Sequence, residues 1–250
     1  MLQPPQEFSV LGIPVHIVSN YPGWLLESLR QRRGAHVVTL NAEMTMQARK
    51  NRTLAQAVKN ADLVIPDGAG VVLYLRWLLW QKVQRFPGIE LAENLLQELG
   101  QQQPDTKIFF YGGAPEVVVK ANKFWQLKIP TLNLVGTHSG YHTLEEEQQL
   151  KQTLRKLQPQ VIFVGLGVPR QELWIAQNRD LCPQAIWIGV GGSFDIWSGS
   201  KTRAPAWLAN NNLEWLYRLY QEPWRWRRML ALPEFAVKAL IYRVTARGGI

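Results

Sequence analysis

The chain reads as an α/β protein: a Rossmann-like, mostly parallel sheet with helices on both faces, plus a helical C-terminal appendage. Three observations predict this. Short apolar runs alternate with helical periodicity up to Gly199, the pattern of a sheet covered on both faces. Several of the runs end directly in glycine or polar residues, which is what lies past the carboxyl ends of parallel strands. Composition then shifts: Lys201 to Ile250 holds nine Lys or Arg against three acidic residues, +6 of the total +9. The expected division is a sheet domain over residues 1–199 and a basic, Trp-rich appendage over 200–250.

The elements follow in order. Phe8 to Val18 reads as a short strand with a turn at Gly12-Ile13-Pro14. Tyr21 to Arg32 predicts a first helix. Ala35 to Leu40 is a strand run followed directly by Asn41. Glu43 to Lys50 and Leu54 to Lys59 are helical, and Leu63 to Ile65 is a strand ended by Pro66-Asp67-Gly68. Val71 to Trp80 and Ile89 to Leu99 follow, the latter a helix closed by Gly100. Lys107 to Tyr111 is a strand entering Gly112-Gly113, and Pro115 to Trp125 is helical. Leu132 to Gly136 is a strand. In Leu144 to Leu157, Glu145, Glu146 and Glu147 lead and Arg155 and Lys156 close, matching the helix dipole. Val161 to Gly165, helical Gln171 to Gln177, and Ala185 to Val190 complete the sheet domain. Asn41, Asp67-Gly68, Gly112-Gly113 and Gly191-Gly192 with Asp195 should therefore meet in one crevice.

The charge excess, 28 Lys and Arg against 19 Asp and Glu, suits a polyanionic partner: nucleic acid, anionic lipid or a phosphorylated substrate. Eleven Trp, several beside Arg in the tail, are what a membrane-surface segment looks like. No apolar stretch reaches the length that spans a bilayer, and Met1 to Phe8 lacks the features of a signal peptide. Membrane contact, if made, is expected to be peripheral. The single Cys182 forms no internal disulfide and reads as an inert thiol.

Several chemistries are disfavoured. There is no Walker A sequence, no G-x-G-x-x-G fingerprint and no G-x-S-x-G elbow. The four histidines lack acidic or cysteine neighbours at metal-ligand spacing, and no D-x-D cluster is present. No metal and no cofactor are expected. Gly112-Gly113 reads either as a phosphate approach or as a structural turn. Gly165 to Glu172 offers Arg170, Gln171 and Glu172 at a helix start, as a reader of uracil or ribose or as an ordinary loop. Asp67 is either a general base or a helix cap. In the tail, Arg218, Arg225 and Arg228 share one face if a single helix runs on. Pro223 allows instead a kink and a second helix. A stripe of Leu213, Leu216, Tyr217 and Tyr220, and another of Phe235, Val237, Leu240, Ile241 and Val244, serve either lipid or the sheet domain.

In combination the motifs carry more. Thr39-Leu40-Asn41-Ala42-Glu43, Ile65-Pro66-Asp67-Gly68, Arg85-x-x-Gly88, Val164-Gly165-Leu166-Gly167-x-Pro169-Arg170-Gln171-Glu172, Gly189 through Asp195, and Arg203-Ala204-Pro205 through Leu213-Glu214-Trp215-x-x-Arg218 occur in that order. The chain resembles the WecG/TagA/CpsF family of bacterial glycosyltransferases from about Leu11 to Arg228. The resemblance implies transfer, with inversion and without metal, of N-acetylmannosamine, its uronic acid or a related sugar. The donor is a UDP-sugar and the acceptor an undecaprenyl-diphosphate-linked sugar. The setting is synthesis of cell-surface polysaccharide on the cytoplasmic face of the plasma membrane. Asp67 is the implied base, with Thr39 and Asn41 as partners. Donor contacts are expected from Gly112, Gly113, Gln171, Glu172, Gly191 and Asp195. Arg85, Arg218, Arg225 and Arg228 are expected at the diphosphate and acceptor, completing the site where the tail meets the membrane.

Arg170 stands where Lys is common, and Glu90 where Asp is common. The Leu- and Trp-rich stretch Leu73 to Trp80 is a third departure, expected to mark an acceptor groove or an extra membrane contact. A homo-oligomer is compatible with all of this. The competing class is a non-catalytic protein that binds RNA or a membrane surface through the basic tail; no nucleic-acid partner is expected of the transferase.

Overall fold

The computed structural model describes residues 4–205, 207–208, 211 and 213–247, with only the backbone of Arg225 and of residues 243–247. β1 (Gln6–Val10) and β2 (Ile13–Ile17) form an antiparallel hairpin. The single-strand reading of Phe8 to Val18 thus divides in two, and the turn sits at Leu11-Gly12. Both residues have positive φ, 54° and 82°, as a tight two-residue hairpin requires.

The chain then alternates. α1 (Tyr21–Arg30), β3 (Ala35–Leu40), α2 (Ala42–Lys50), α3 (Arg52–Lys59) and β4 (Leu63–Pro66) come first. α4 (Ala69–Leu79), α5 (Gly88–Gln102), β5 (Lys107–Gly112), α6 (Pro115–Lys128) and β6 (Asn133–His138) follow. α7 (Leu144–Leu157), β7 (Val161–Gly165), α8 (Arg170–Asn178), β8 (Ile186–Gly189) and the short α9 (Ser193–Trp197) complete the body. Side-chain caps set several starts: Asn20, Asn41 and Asn51 accept from backbone N–H groups of the first turns, and Thr143 with Glu146 forms a capping box.

The six strands β4-β3-β8-β7-β5-β6 pair in that order, and every pairing is parallel. Alternate residues face opposite sides. Val37, Ile65, Phe110, Phe163 and Ile188 join α1, α5, α6 and α9 in one apolar layer. Val38, Leu40 and Val64 join α2, α3 and α4 on the other face, where Phe109, Ile162 and Trp187 pack with α7 and α8. Burial on both faces explains why the strand runs are continuously apolar.

Register then places the loops. Leu40 lies beside Pro66, Val164 beside Gly189 and Gly112 beside Gly165. The carboxyl ends of β3, β4, β7 and β8 finish together. The chain winds outward from β3 to β4, crosses to β5, winds outward to β6, and returns to lay β7 and β8 between. A cleft at such a reversal is where open α/β sheets bind ligands.

The extension comprises α10 (Glu214–Gln221), a 3₁₀ turn (Pro223–Arg225), α11 (Trp226–Met229) and α12 (Ala231–Arg247). Pro223 opens the 3₁₀ turn, so no continuous helix carries Arg218, Arg225 and Arg228; the shared face expected of an unbroken helix does not form. α12 packs on α2 and α4, with Phe235 and Ala239 in the apolar layer. The side chains of Val244, Arg243 and Arg247 lie outside the described residues.

Candidate active site

Asp67 follows β4, and its N–H donates to Leu40 O at 3.0 Å. Gly68 lets this turn press on the end of β3, since a Cβ there would lie 2.7 Å from Asn41 Cβ. The helix-cap alternative fails here: Gly68 is the N-cap of α4, and no side chain bonds that end. The backbone N–H of Gly88 instead favours the ionised form of the Asp67 carboxyl. Removal from water is the largest influence on it and lifts its pKa to about 6. Arg218 and Arg85 pull it down and Glu214 pushes it up. The result is a carboxylate poised near neutrality, as a general base requires.

Asn41 caps α2, accepting from Met44 N–H at 2.9 Å. Thr39, nearly buried, stands against Gly88, where a Cβ would come within 2.9 Å of Thr39 Oγ1. Both side chains line the same cleft as Asp67.

Gln171, at the start of α8, ties the opposite wall together. Its Oε1 accepts from Gly167 N–H at 3.1 Å and from Gly191 N–H at 3.0 Å. Both glycines have positive φ, 73° and 51°. Its Nε2 donates to Glu172 Oε1 at 2.9 Å, and Glu172 Oε2 lies 2.9 Å from His36 Nε2. Gly189 makes room for this: a Cβ there would sit 2.4 Å from Gln171 Nε2. His36, Glu172 and Gln171 are all buried. Gln171 therefore clamps the two glycine loops, and Glu172 sits behind the wall rather than on it.

Gly112 and Gly113 do not line the cleft. The N–H of Gly113 donates to Gly165 O at 3.0 Å, and its carbonyl accepts from Gly140 N–H at 2.8 Å. A Cβ on Gly112 would meet Gly165 O at 2.4 Å. The pair thus serves the close approach of β5 to β7, and the donor that could have met a phosphate is already engaged.

The extension closes the cleft. Glu214 Oε2 accepts from Arg85 Nη2 at 2.8 Å, and Glu214 Oε1 accepts from Arg218 Nη2 at 2.6 Å. Arg228 Nε lies 3.5 Å from Glu43 Oε1. Lys201 Nζ reaches Asp195 Oδ2 at 3.5 Å and Glu222 Oε1 at 3.2 Å, and Arg203 pairs with Glu90. The structure thus brings Thr39, Asn41, Asp67, Gln171, Gly191, Asp195, Arg218 and Arg228 to one cleft. Arg85 stands behind them at Glu214, and the side chain of Arg225 lies outside the described residues.

Sequence reasoning missed Glu43, Gly88, Lys201, Arg203, Glu214, Tyr217 and Glu222, all of which line this cleft. The available signal was Glu214 and Glu222 themselves, two of the three acids in a basic tail. Among the described residues, no three His, Cys, Asp or Glu side chains are grouped to hold a metal ion. Cys182 is buried, and that burial pushes its thiol up to about 11.

Comparison with known proteins places the whole chain. Residues 8–249 match the model of the "Glycosyl transferase WecG/TagA/CpsF family". An N-acetylglucosaminyldiphosphoundecaprenol N-acetyl-beta-D-mannosaminyltransferase of Bacillus spizizenii is 35% identical over 212 residues, 85% of this chain and 81% of the relative. The protein of that name from Bacillus subtilis is 34% identical over 210 residues, 84% of this chain and 80% of the relative. With nearly its whole length matched, the chain belongs to the WecG/TagA/CpsF family of glycosyltransferases.

Proposed function

We propose that this enzyme transfers an N-acetylmannosamine-type sugar from UDP to an undecaprenyl-diphosphate-linked sugar, with inversion, in the synthesis of bacterial cell-surface polysaccharide. The observation that carries the reading is Asp67: a partly exposed carboxylate with a pKa of about 6, at the floor of the cleft and facing Arg218. The names of the Bacillus relatives supply the donor and acceptor classes.

In this reading the acceptor hydroxyl gives its proton to Asp67. Its oxygen bonds to the anomeric carbon while the bond from that carbon to UDP breaks on the opposite face. The electron pair leaves with the diphosphate. Thr39 and Asn41 flank Asp67 and orient the acceptor. Arg218 and Arg228, with Arg85 behind them, meet the charge on the leaving diphosphate, the role a fixed cationic site plays best when water is excluded. Gly191 and Asp195 lie on the donor side, and Gln171 holds the loops that frame it.

A lipid-linked acceptor calls for a membrane-facing surface. Leu73, Trp77 and Trp80 are exposed on α4, and Val237, Leu240 and Ile241 on the adjoining α12. Exposed Arg76, Lys82 and Arg227 border them. Outward apolar faces rimmed by cations suit an anionic bilayer. No helix of the described residues is long and apolar enough to cross a membrane; in this reading the protein docks peripherally on the cytoplasmic face.

The test is UDP release from a panel of UDP-sugars with a prenyl-diphosphate-linked N-acetylglucosamine acceptor in vesicles. Acceptor-dependent release with one donor, lost in Asp67→Asn, is the expected result. Absence of release with every donor and lipid would sink the reading.

A further inference from the structure

We propose that Glu214 is a positioning residue for the transfer reaction: its carboxylate clamps Arg85 of the body and Arg218 of the extension into one cationic pair beside Asp67. The inference rests on the transferase reading above and deepens it.

The geometry is specific. Glu214 opens α10, and each of its oxygens is committed to a different guanidinium. Its side chain is only 12% exposed and that of Arg85 16%, so this ion pair is shielded from solvent. The pairs that tie Arg203 and Arg228 to the body are more open. No residue of α10 or α11 is fully buried, and the half-exposed Arg218 guanidinium donates to Glu214 Oε1. Glu214 joins it to Arg85, a residue 129 positions earlier than Glu214. Despite its burial, Arg218 and then Arg85 keep the Glu214 carboxyl below its ordinary range, so it is ionised when the extension is closed.

The consequence is assembly. Arg85 alone belongs to the body and Arg218 alone to the extension. Without a carboxylate between them, two guanidiniums at one site repel each other. With it, the cationic pair exists only when the extension lies over the cleft. The diphosphate then meets a site already arranged for it, and turnover is confined to the closed form. The charges bearing on Asp67 are Arg218, Glu214 and Arg85. The other charged groups of the cleft are paired elsewhere: Glu43 with Arg228, Asp195 and Glu222 with Lys201, and Arg203 with Glu90.

The experiment compares wild type with Glu214→Gln, Glu214→Asp and Glu214→Ala across pH, using UDP release with acceptor. A positioning role predicts that Glu214→Gln lowers kcat roughly ten- to a hundredfold, with a smaller change in donor KM. Glu214→Asp should recover part of the loss and Glu214→Ala none. The acid limb of kcat/KM should also move in Glu214→Gln, because Glu214 and the two guanidiniums it holds all bear on Asp67. An active wild type beside a Glu214→Gln variant with unchanged kcat and acid limb overturns the inference alone. So does a loss of thermal stability with unaltered kcat in the folded fraction. A wild type inactive with every donor overturns the transferase reading, and the inference falls with it.

Discussion

The two walls of the cleft are held by different physics. The body wall consists of strand ends and glycine loops fixed by apolar layers and by the buried chain His36–Glu172–Gln171. The extension wall consists of α10 and α11, which bury no residue, with the segment before them, and it reaches the body through ion pairs from Glu214, Arg203 and Arg228. Apolar burial and enclosed hydrogen bonds are indifferent to salt, whereas exposed ion pairs are screened within about 10 Å at 0.1 M salt. The difference teaches which half of the site is permanent. The base and the glycine loops are built once, on folding. The cationic half is held by contacts that can release, which suits an enzyme whose acceptor arrives in a membrane.

The largest test of the body wall is Asp67→Asn. Loss of the base should cost about 10²–10⁴ in kcat. It should also stabilise the protein. The fold holds this carboxyl above its unfolded value of 3.8, at about 6, so the protonated form favours folding. That contribution is full below about pH 4 and is lost as pH rises through about 6. At pH 8 the neutral amide should therefore raise stability by about 1–3 kcal/mol, and the gain should shrink towards pH 4. An unchanged melting temperature at pH 8 would show that Asp67 is not strained. For the wild type, kcat/KM should fall as pH drops through about 6.

The next test sets a buried hydrogen-bonded contact against the exposed ion pairs. His36→Leu leaves Glu172 buried with its Oε2 partner removed, and should cost about 3–5 kcal/mol in urea unfolding. Gln171 would lose its fixed orientation too, so donor KM should rise in whatever fraction folds. A cost near zero would mean that Glu172 finds another partner, and that the glycine loops do not depend on this chain.

Much of this was legible before any coordinates, because it follows local rules. Continuous apolar runs such as Val161 to Val164 announce doubly covered strands, and loops such as Pro66-Asp67-Gly68 announce the carboxyl edge. The parts that were not legible are those set by contacts distant in sequence. Gln171 looked like a ligand reader, but its amide is spent on Gly167, Gly191 and Glu172. Gly113 looked like a phosphate donor, but Gly165 takes its N–H. Glu214 stood in a recurring motif with no role attached to it, and its partner is Arg85. A sequence shows which groups can bond, and only the fold shows which are already bonded.

A smaller effect should come from the outward faces. Trp80 is 78% exposed at the end of α4, and Trp77 lies one turn before it. Replacing both with Ser removes exposed apolar surface at this end of the helix, together with the edge contact of Trp77 on Tyr74. Sedimentation with anionic vesicles should weaken about tenfold, while donor KM without vesicles stays as in the wild type. Equal sedimentation of the two proteins would move the membrane contact away from α4 and leave it to α12 or α11.

The smallest effect belongs to the exposed pairs of the extension. Arg203 joins Glu90 and reaches Glu93 at 3.9 Å, and its side chain is 31% exposed. Arg203→Ala should cost at most about 1 kcal/mol in global stability, far less than His36→Leu. The informative readout is salt. In the wild type, raising salt should lower kcat/KM a few-fold while the unfolding midpoint of the body barely moves, because screening reaches Arg203–Glu90 and Arg228–Glu43 before the shielded Arg85–Glu214 pair. Arg203→Ala should reach that lowered kcat/KM at lower salt. If instead the variant and the wild type share one salt profile, the extension wall is held by Glu214 and the packing of α12 alone, and the outer pairs are incidental to closure.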